Sequence, residues 1–303
     1  MHGPSGEALG IPADREAAGQ ASGAASYADG IDTIGRYRPP RGSRWSLTAG
    51  QHGQSRLALA AVLVMALSGC FNRSAGGATA SAPTQSPPAE VGERAADGPP
   101  MPGVVYLLPA STRASKTVLL SFDDGPNPRD TPKILAALKA AGVHALFCQV
   151  GSMTVAHPEL ARAEVDGGNM VCDHTHAHPH RLADRPAQVI DDEIVRGQEE
   201  IERATGIKPM IFRSPEGSLS ETVIDLAKRH GMSVYQWSID TKDYERPPAA
   251  VIASRVLDHL SPGAIVLMHD GGGNRDRTVA ALPIILRGLK ARGYVAVLPS
   301  AVP

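Results

Sequence analysis

Apolar segments that alternate between strand-like and helix-like spacing begin near Val104 and continue to the C-terminus. Seven short runs, rich in apolar and β-branched residues, predict strands. They cover residues 117–121, 145–150, 169–173, 210–213, 233–239, 264–268 and 294–298. Between them lie segments with helical periodicity and helix start and stop residues. These predicted helices cover residues 131–142, 157–165, 188–204, 220–230, 249–260 and 278–291.

Regular alternation of strands and helices is typical of parallel strands that are joined by crossover helices. The pattern therefore predicts an α/β fold, a small, distorted or incomplete (β/α) barrel of about seven parallel strands. An open doubly wound sheet is the alternative. In both architectures the chemistry belongs at the carboxyl ends of the strands.

The first 103 residues lack this pattern. Residues 1–55 have no sustained apolar period and are predicted to be disordered, or to precede the true start codon. Arg56 then opens an apolar run over 57–67, which is too short for a bilayer but typical of a secretory signal. The run closes on Leu67-Ser68-Gly69-Cys70, which resembles a bacterial lipobox, where cleavage precedes a cysteine that receives lipid. The competing interpretation is a buried helix that ends in a cysteine by chance.

The lipobox predicts a lipoprotein signal peptide over 56–70 and an extracytoplasmic protein, anchored to the membrane through lipid on Cys70 or secreted. Residues 71–103, rich in Ser, Ala, Gly and Pro, predict a flexible linker before a folded domain over 104–303. The formal net charge of −1 gives no overall field that would attract nucleic acid. We expect a monomer with no nucleic-acid partner.

Two adjacent carboxylates, Asp123 and Asp124, follow the first predicted strand and precede Gly125-Pro126. Successive side chains of a strand point to opposite faces, so both carboxylates can share one site only if the strand ends and the chain turns. Two close carboxylates repel each other unless a cation or a shared proton lies between them. The pair therefore indicates a metal site, against the simpler interpretation of an ordinary acidic turn.

Four further predicted strands release titratable side chains at the same end, in segments 173–180, 213–217, 240–243 and 269–270. In the first segment, His174 and His178 are spaced as two ligands from one loop can be, and imidazole is the commonest metal ligand. Together with Asp124 they form three protein ligands with positions left open, as in catalytic metal sites. We expect His176 and His180 to point elsewhere.

Five motifs occur in order along the predicted strand ends. They are Ser121-Phe-Asp-Asp-Gly-Pro126, His174-Thr-His-Ala-His178, Arg213-Ser-Pro-Glu-Gly217, Asp240-Thr-Lys-Asp-Tyr244 and Leu267-Met-His269. In this set and order the chain resembles the polysaccharide deacetylase family, also called the NodB-homology domain or carbohydrate esterase family 4. The resemblance covers about residues 116–298 and implies that 104–303 is a catalytic domain of this kind.

The resemblance implies a metal centre and a base. Asp124, His174 and His178 would bind a divalent metal, usually Zn²⁺ in this family. Asp123 would be the general base that acts on a water activated by the metal, and Arg213 would orient and stabilise its carboxylate. A metal of this kind lowers the pKa of a bound water to roughly 7 and polarises a carbonyl group.

The resemblance also implies a general acid and residues that line the edge of the substrate site. His269 would be the general acid, paired with Asp243. The backbone N–H of Glu216, next to Pro215, would help to hold the oxyanion. Glu216 stands where the family usually has an aromatic residue, and Tyr244 replaces the usual tryptophan beside the substrate. Both departures bear on specificity more than on the chemistry.

The function that follows is a metal-dependent hydrolase that removes N-acetyl groups from amino sugars of an extracellular polysaccharide, peptidoglycan or a chitin-like polymer. Two alternatives stay open. The same metal centre could serve an O-acetyl esterase that acts on xylan or another acetylated glycan. An inactive wall-binding lipoprotein would need a missing ligand, base or acid, and none is missing from the sequence.

Two cysteines remain besides Cys70. Cys148 and Cys172 lie in the second and third predicted strands, in a protein expected in a compartment that permits disulfides. Neighbouring parallel strands could bring the two together if their side chains share a face. Two buried free thiols are an equally good interpretation.

Overall fold

The structure, a computed structural model, describes residues 100–113 and 115–299. The predicted extension over 1–55, the signal peptide over 56–70 with Cys70, and the linker up to residue 99 lie outside the described residues. Within the described ranges, no helix is both long enough and apolar enough to cross a membrane.

In the described part of the chain, parallel strands form one sheet of nine strands. The strands are β1 (Val104–Val105), β2 (Thr117–Gly125), β3 (Leu146–Gln149), β4 (Met170–Asp173), β5 (Ile211–Phe212), β6 (Ser233–Tyr235), β7 (Ile239–Asp240), β8 (Ala264–His269) and β9 (Val295–Ala296). Their order is β1-β6-β5-β4-β3-β2-β8-β7, and β9 also pairs with β2.

This order decides between the two predicted architectures. Five successive strands, β2 to β6, lie side by side in chain order, and β8 returns to the free side of β2. A doubly wound sheet would instead reverse its order at a switch point near its middle. The path ends at β1 and β7 with no ladder between them in the described part of the chain. The predicted incomplete (β/α) barrel is confirmed.

The predicted strand over 233–239 is wrong in one respect, because it is two strands. The backbone N–H of Gln236 donates to Val105 O at 2.8 Å, whereas the N–H of Ser238 donates to Ile265 O at 3.0 Å. The chain therefore changes partner, from β1 to β8, within three residues. The apolar pattern runs through this break and does not reveal it. The two-residue strand β1 was also not predicted.

Eight α-helices complete the described fold. They are α1 (Ala110–Arg113), α2 (Thr131–Ala141), α3 (Gly151–Ala156), α4 (Pro158–Asp166), α5 (Ala187–Thr205), α6 (Glu221–Arg229), α7 (Ala249–Leu257) and α8 (Asp276–Ala291). The six predicted helices correspond to α2 and α4 to α8, within a few residues at each end. The sequence did not predict α1 and α3, since four and six residues are too short for a periodicity to be seen.

Alternate side chains of the strands divide the core into two layers. One layer packs strand residues such as Leu120 and Val266 against α2, α7 and α8. The other layer lies on the opposite face of the sheet and contains Leu119, Ile265, Cys148 and Cys172. Cys148 and Cys172 are direct partners in the register of β3 and β4, and a disulfide joins them. The sequence left open a disulfide or two free thiols for these cysteines, and the structure contains the disulfide.

Candidate active site

The sequence-predicted site residues lie at one edge of the sheet, where the carboxyl ends of the strands meet. They are carried by β2 (Asp123, Asp124), the loop after β4 (His174, His178), the loop after β5 (Arg213, Pro215, Glu216), the turn after β7 (Asp243, Tyr244) and β8 (His269). These residues come from five places in the chain, and the parallel sheet brings them together at one edge.

A backbone irregularity lets both adjacent aspartates serve the same site. We expected the strand to end before them, but β2 continues to Gly125. The register with β3 instead shifts between Asp123 and Gly125, and Asp124 adopts a φ of +72°. A bulge with a left-handed residue re-aims one side chain without ending the strand. The local sequence gives no sign of it, since a left-handed aspartate is uncommon.

Asp124, His174 and His178 converge through one atom each. Oδ1 of Asp124 lies 3.1 Å from Nε2 of His178 and 3.5 Å from Nε2 of His174. The three ligand atoms all lie within 4.8 Å of one another, and no other such group of His, Cys, Asp and Glu occurs among the described residues. This metal-ligand group (Asp124, His174, His178) has the arrangement of a three-ligand site for a divalent metal.

Neighbouring groups orient both imidazoles. Nδ1 of His174 lies 2.7 Å from the carbonyl oxygen of Arg213, which can only accept, so Nδ1 donates and Nε2 is the ring nitrogen that faces Asp124. His178 has a φ of +51°, and its backbone N–H donates to Oγ1 of Thr175 at 3.0 Å. These contacts aim the two Nε2 atoms at Asp124.

The charge of Asp124 fits a cation at this point. Burial alone would raise the pKa of Asp124, but the imidazoles of His174 and His178 outweigh burial and hold the pKa well below its ordinary value. Its Oδ1 is buried and accepts no well-aligned hydrogen bond among the described residues, although Nε2 of His178 lies 3.1 Å away. A buried, ionised oxygen that lacks a well-aligned donor is costly, and a metal ion between these atoms would supply the missing interaction. The donor set therefore fits a divalent metal.

Asp123 lies beside this group and is held by Arg213. Nη1 of Arg213 donates to Oδ1 of Asp123 at 2.7 Å and also to Oγ of Ser121 at 2.8 Å. Both charged side chains are buried. The second carboxylate oxygen, Oδ2, lies 3.9 Å from Nε2 of His174. One oxygen of Asp123 is thus bound, and the other faces the metal-ligand group.

His269 is the register partner of Asp123 on the neighbouring strand, and Asp243 binds it. Nδ1 of His269 donates to Oδ1 of Asp243 at 2.6 Å. Burial would lower the pKa of His269, but the Asp243 carboxylate, with contributions from Asp124 and Asp123, raises it from 6.5 to about 9. The imidazole is therefore cationic at neutral pH. Burial favours a higher pKa for Asp243, yet His269 lowers it overall.

The rim of the site contains Pro215, Glu216 and Tyr244. Glu216 has a φ of +56°, and its backbone N–H has no hydrogen-bond partner in the described residues. Its carboxylate pairs with Nδ1 of His180 and accepts the backbone N–H of Arg181 at 3.3 Å. Pro215 is buried beneath this turn.

The ring of Tyr244 meets the ring of His269 edge-on, with centroids 5.6 Å apart. Its side chain is exposed, as expected for a wall of a substrate site. His176 of the second motif and His180, which follows that motif, point away from the metal-ligand group, as predicted. His176 pairs with Glu200 of α5 at 2.7 Å, and His180 pairs with Glu216.

Two residues that contact the site were missed by the sequence analysis. Oγ1 of Thr278 donates to Oδ2 of Asp243 at 2.6 Å, and Arg275 lies 3.7 Å from Asp124. Both belong to the start of α8, which the motifs do not include. The signal that could have found them is the run of three glycines at 271–273, because such a run lets one backbone approach another closely.

Known proteins resemble this chain in sequence over the part that carries most of these residues. The family model described as "Polysaccharide deacetylase" matches residues 110–235, which include the metal-ligand group, Asp123 and Arg213. A chitooligosaccharide deacetylase from a Bradyrhizobium species is 35% identical over 191 residues, or 59% of this chain and 87% of that protein. The peptidoglycan-N-acetylglucosamine deacetylase PgdA of Listeria monocytogenes is 35% identical over 182 residues, covering 60% of this chain but 38% of that longer protein.

A solved structure shares the fold. The peptidoglycan N-acetylglucosamine deacetylase Bc1960 superimposes with a TM-score of 0.61 and 31% identity, over 64% of this chain and 90% of that one. The sequence model ends before Asp243 and His269, but the fold returns both residues to the same edge of the sheet. Sequence, fold and site geometry agree, and the chain belongs to the polysaccharide deacetylase family.

Proposed function

We propose that the protein is a metal-dependent hydrolase that removes N-acetyl groups from amino sugars of an extracellular polysaccharide, peptidoglycan or a chitin-like polymer. The observation that carries the proposal is that three groups of residues meet at one place. The metal-ligand group (Asp124, His174, His178), a carboxylate held by Arg213 and an imidazole held by Asp243 meet at one edge of the sheet. Amide hydrolysis needs an activated water, a base and an acid, and each has a candidate here.

A divalent metal, for which we propose Zn²⁺, would be held by Asp124, His174 and His178. When bound, it would acidify a water molecule and polarise the acetyl carbonyl group. Histidine and carboxylate ligands with open positions suit zinc, and they also suit other first-row metals.

Asp123 is the proposed general base. It accepts a proton from the attacking water as the water oxygen bonds to the acetyl carbon. Arg213 keeps Oδ1 of Asp123 in place through its 2.7 Å hydrogen bond, so Oδ2 is the oxygen that takes the proton. Because Oδ2 faces His174, the base lies beside the metal-ligand group.

His269 is the proposed general acid. When the C–N bond breaks, the amine nitrogen of the sugar takes a proton from Nε2 of His269, and acetate leaves. The Asp243 carboxylate keeps this imidazole protonated, with a pKa raised to about 9. At neutral pH the imidazole therefore carries the proton that the leaving amine needs.

The backbone N–H of Glu216 is the proposed oxyanion donor, since nothing within the described residues occupies it. The position needs only a backbone group, so a glutamate can stand there instead of the usual aromatic residue. Its side chain, paired with His180, and the exposed ring of Tyr244 would then contact the sugar and affect which polymer is accepted.

The proposed substrates agree with the names of the relatives, which act on chitooligosaccharide and on peptidoglycan N-acetylglucosamine. An extracytoplasmic location, with lipid on Cys70 and a linker over 71–103, would suit a cell-wall polymer. This part of the proposal rests on the sequence alone. Incorporation of labelled palmitate into the wild-type protein, but not into Cys70→Ala, would support it, and equal labelling of both would contradict it.

The substrate class is tested by acetate release from N-acetylated chitooligosaccharide, from peptidoglycan and from acetylated xylan. We expect release from one of the first two and a new free amine on the sugar. Release from xylan alone would mean an O-acetyl esterase. If none of the three substrates releases acetate, the proposed function is wrong.

A further inference from the structure

Arg275 is a buried arginine that none of the five motifs includes. Its side chain is 5% exposed, and it stands directly before the first residue of α8. Its guanidinium donates to the carbonyl oxygens of Gly271 and, at 3.1 Å, Gly272. Its backbone N–H donates to Oδ2 of Asp130 at 2.9 Å. Both the main chain and the side chain of Arg275 are therefore fixed.

The fixed guanidinium faces one oxygen of Asp124. Nη2 of Arg275 lies 3.7 Å from Oδ2, whereas Oδ1 lies 3.1 Å and 3.5 Å from the Nε2 atoms of His178 and His174. The two oxygens of one carboxylate thus have different partners. One faces a cation supplied by the protein, and the other faces the two imidazoles.

The glycine run makes this approach possible. A Cβ atom at Gly271 would lie 1.9 Å from the backbone oxygen of Asp124, and one at Gly272 would lie 2.2 Å from Oδ2. At Gly271 the contact is with backbone, so the loop itself would have to move, whereas at Gly272 a Cβ atom would displace the Asp124 carboxylate. The loop that carries Arg275 is therefore packed directly on Asp124, and a residue with a side chain at either glycine would separate them.

We propose that Arg275 is a positioning residue for the metal site. Its guanidinium attracts Oδ2 of Asp124 across 3.7 Å, which leaves Oδ1 as the oxygen that faces the metal. Without this anchor the carboxylate could rotate and bind through both oxygens, which would use a coordination position that a water or the substrate needs. The inference rests on the proposed metal-ligand group, and it assigns a role to a residue outside that group.

Replacing a residue that contacts a metal ligand typically changes the metal affinity by roughly 10- to 100-fold. Arg275→Lys tests the anchor separately from the charge, because lysine keeps the positive charge but lacks the fork that binds both glycine carbonyls. Arg277→Lys is the matched control, since Arg277 is an exposed arginine two positions further along the chain, in the first turn of α8. Both variants and the wild type are stripped with chelator and titrated with Co²⁺, whose visible spectrum reports its coordination geometry.

We expect the Co²⁺ affinity of Arg275→Lys to differ from that of the wild type by at least about 10-fold, with a changed spectrum. Arg277→Lys should match the wild type in both respects. Thermal unfolding of the metal-free proteins checks the fold, and Arg275→Met serves as the second variant, judged by its spectrum, if the lysine variant does not fold. A purely structural arginine would lower the unfolding temperature but leave affinity and spectrum unchanged, and that result would overturn the inference. If the wild type binds no Co²⁺, the proposed metal site itself is wrong.

Discussion

The carboxylate of Asp243 binds His269 at two points. Oδ1 accepts the Nδ1 proton at 2.6 Å, and Oδ2 accepts the backbone N–H at 2.9 Å. Oδ2 also accepts a hydrogen bond from Thr278 at 2.6 Å. The imidazole therefore has one orientation and one charged partner, and its Nε2 is the ring nitrogen left for chemistry.

Asp243→Asn should move the alkaline limit of activity to lower pH. The proposed acid works only while His269 is protonated, so activity is present below its pKa and lost as the pH rises above it. The Asp243 carboxylate is the main cause that raises this pKa to about 9. Removing an opposite charge at this distance typically shifts a pKa by roughly 1–3 units. The pH dependence of kcat/KM measures the shift.

Asp240→Asn is the matched control for that change. Asp240 is a nearby carboxylate whose Oδ1 accepts the backbone N–H of Lys242, not a hydrogen bond from His269. Its variant should move the alkaline limit by less than Asp243→Asn does. Equal shifts in the two variants would mean that the Asp243–His269 hydrogen bond has no special role.

The side chain of Glu216 should matter for substrate choice and little for the chemical step. Only its backbone N–H is assigned to the oxyanion, and this group stays in Glu216→Gly, which also suits the φ of +56°. We expect kcat on a short chitooligosaccharide to stay within a few-fold of wild type, while KM values for different polymers change relative to one another. Steady-state kinetics on at least two substrates measure this. A large loss of kcat on every substrate would contradict the assignment.

The disulfide between Cys148 and Cys172 can be tested on the intact protein. The residues are buried, and they are 24 positions apart in the chain. Without reductant, the unfolded protein should have the mass of the cystine form and react with no thiol reagent at these two positions. Replacing both cysteines by alanine should lower the free energy of unfolding by roughly 2–4 kcal/mol. Labelling of both thiols without reductant would show that the bond is absent.

The sequence predicts the arrangement of strands and helices well, because parallel strands with crossover helices leave a strong alternating pattern. It also predicts which residues meet, since the carboxyl ends of parallel strands share one edge of a sheet. Asp123, His174 and His269 each follow a predicted strand, so the sequence alone predicts that they lie together.

Other features depend on tertiary structure that no local pattern records. The bulge at Asp124 depends on its pairing with β3, and the break after Tyr235 depends on an exchange of neighbours from β1 to β8. Arg275 and Thr278 reach the site only because a glycine-rich loop folds back onto β2. An arginine and a threonine would suit any exposed helix start, so their residue types alone do not indicate the site.

The most direct test of the account compares the wild type with Asp123→Asn in metal content and acetate release. Both proteins should bind Zn²⁺ equally, because Asp124, His174 and His178 are intact. Loss of the base should reduce acetate release by roughly 10²- to 10⁴-fold. Chelator should abolish release by the wild type, and added Zn²⁺ should restore it. A fully active Asp123→Asn variant, or release that chelator does not affect, would contradict the account.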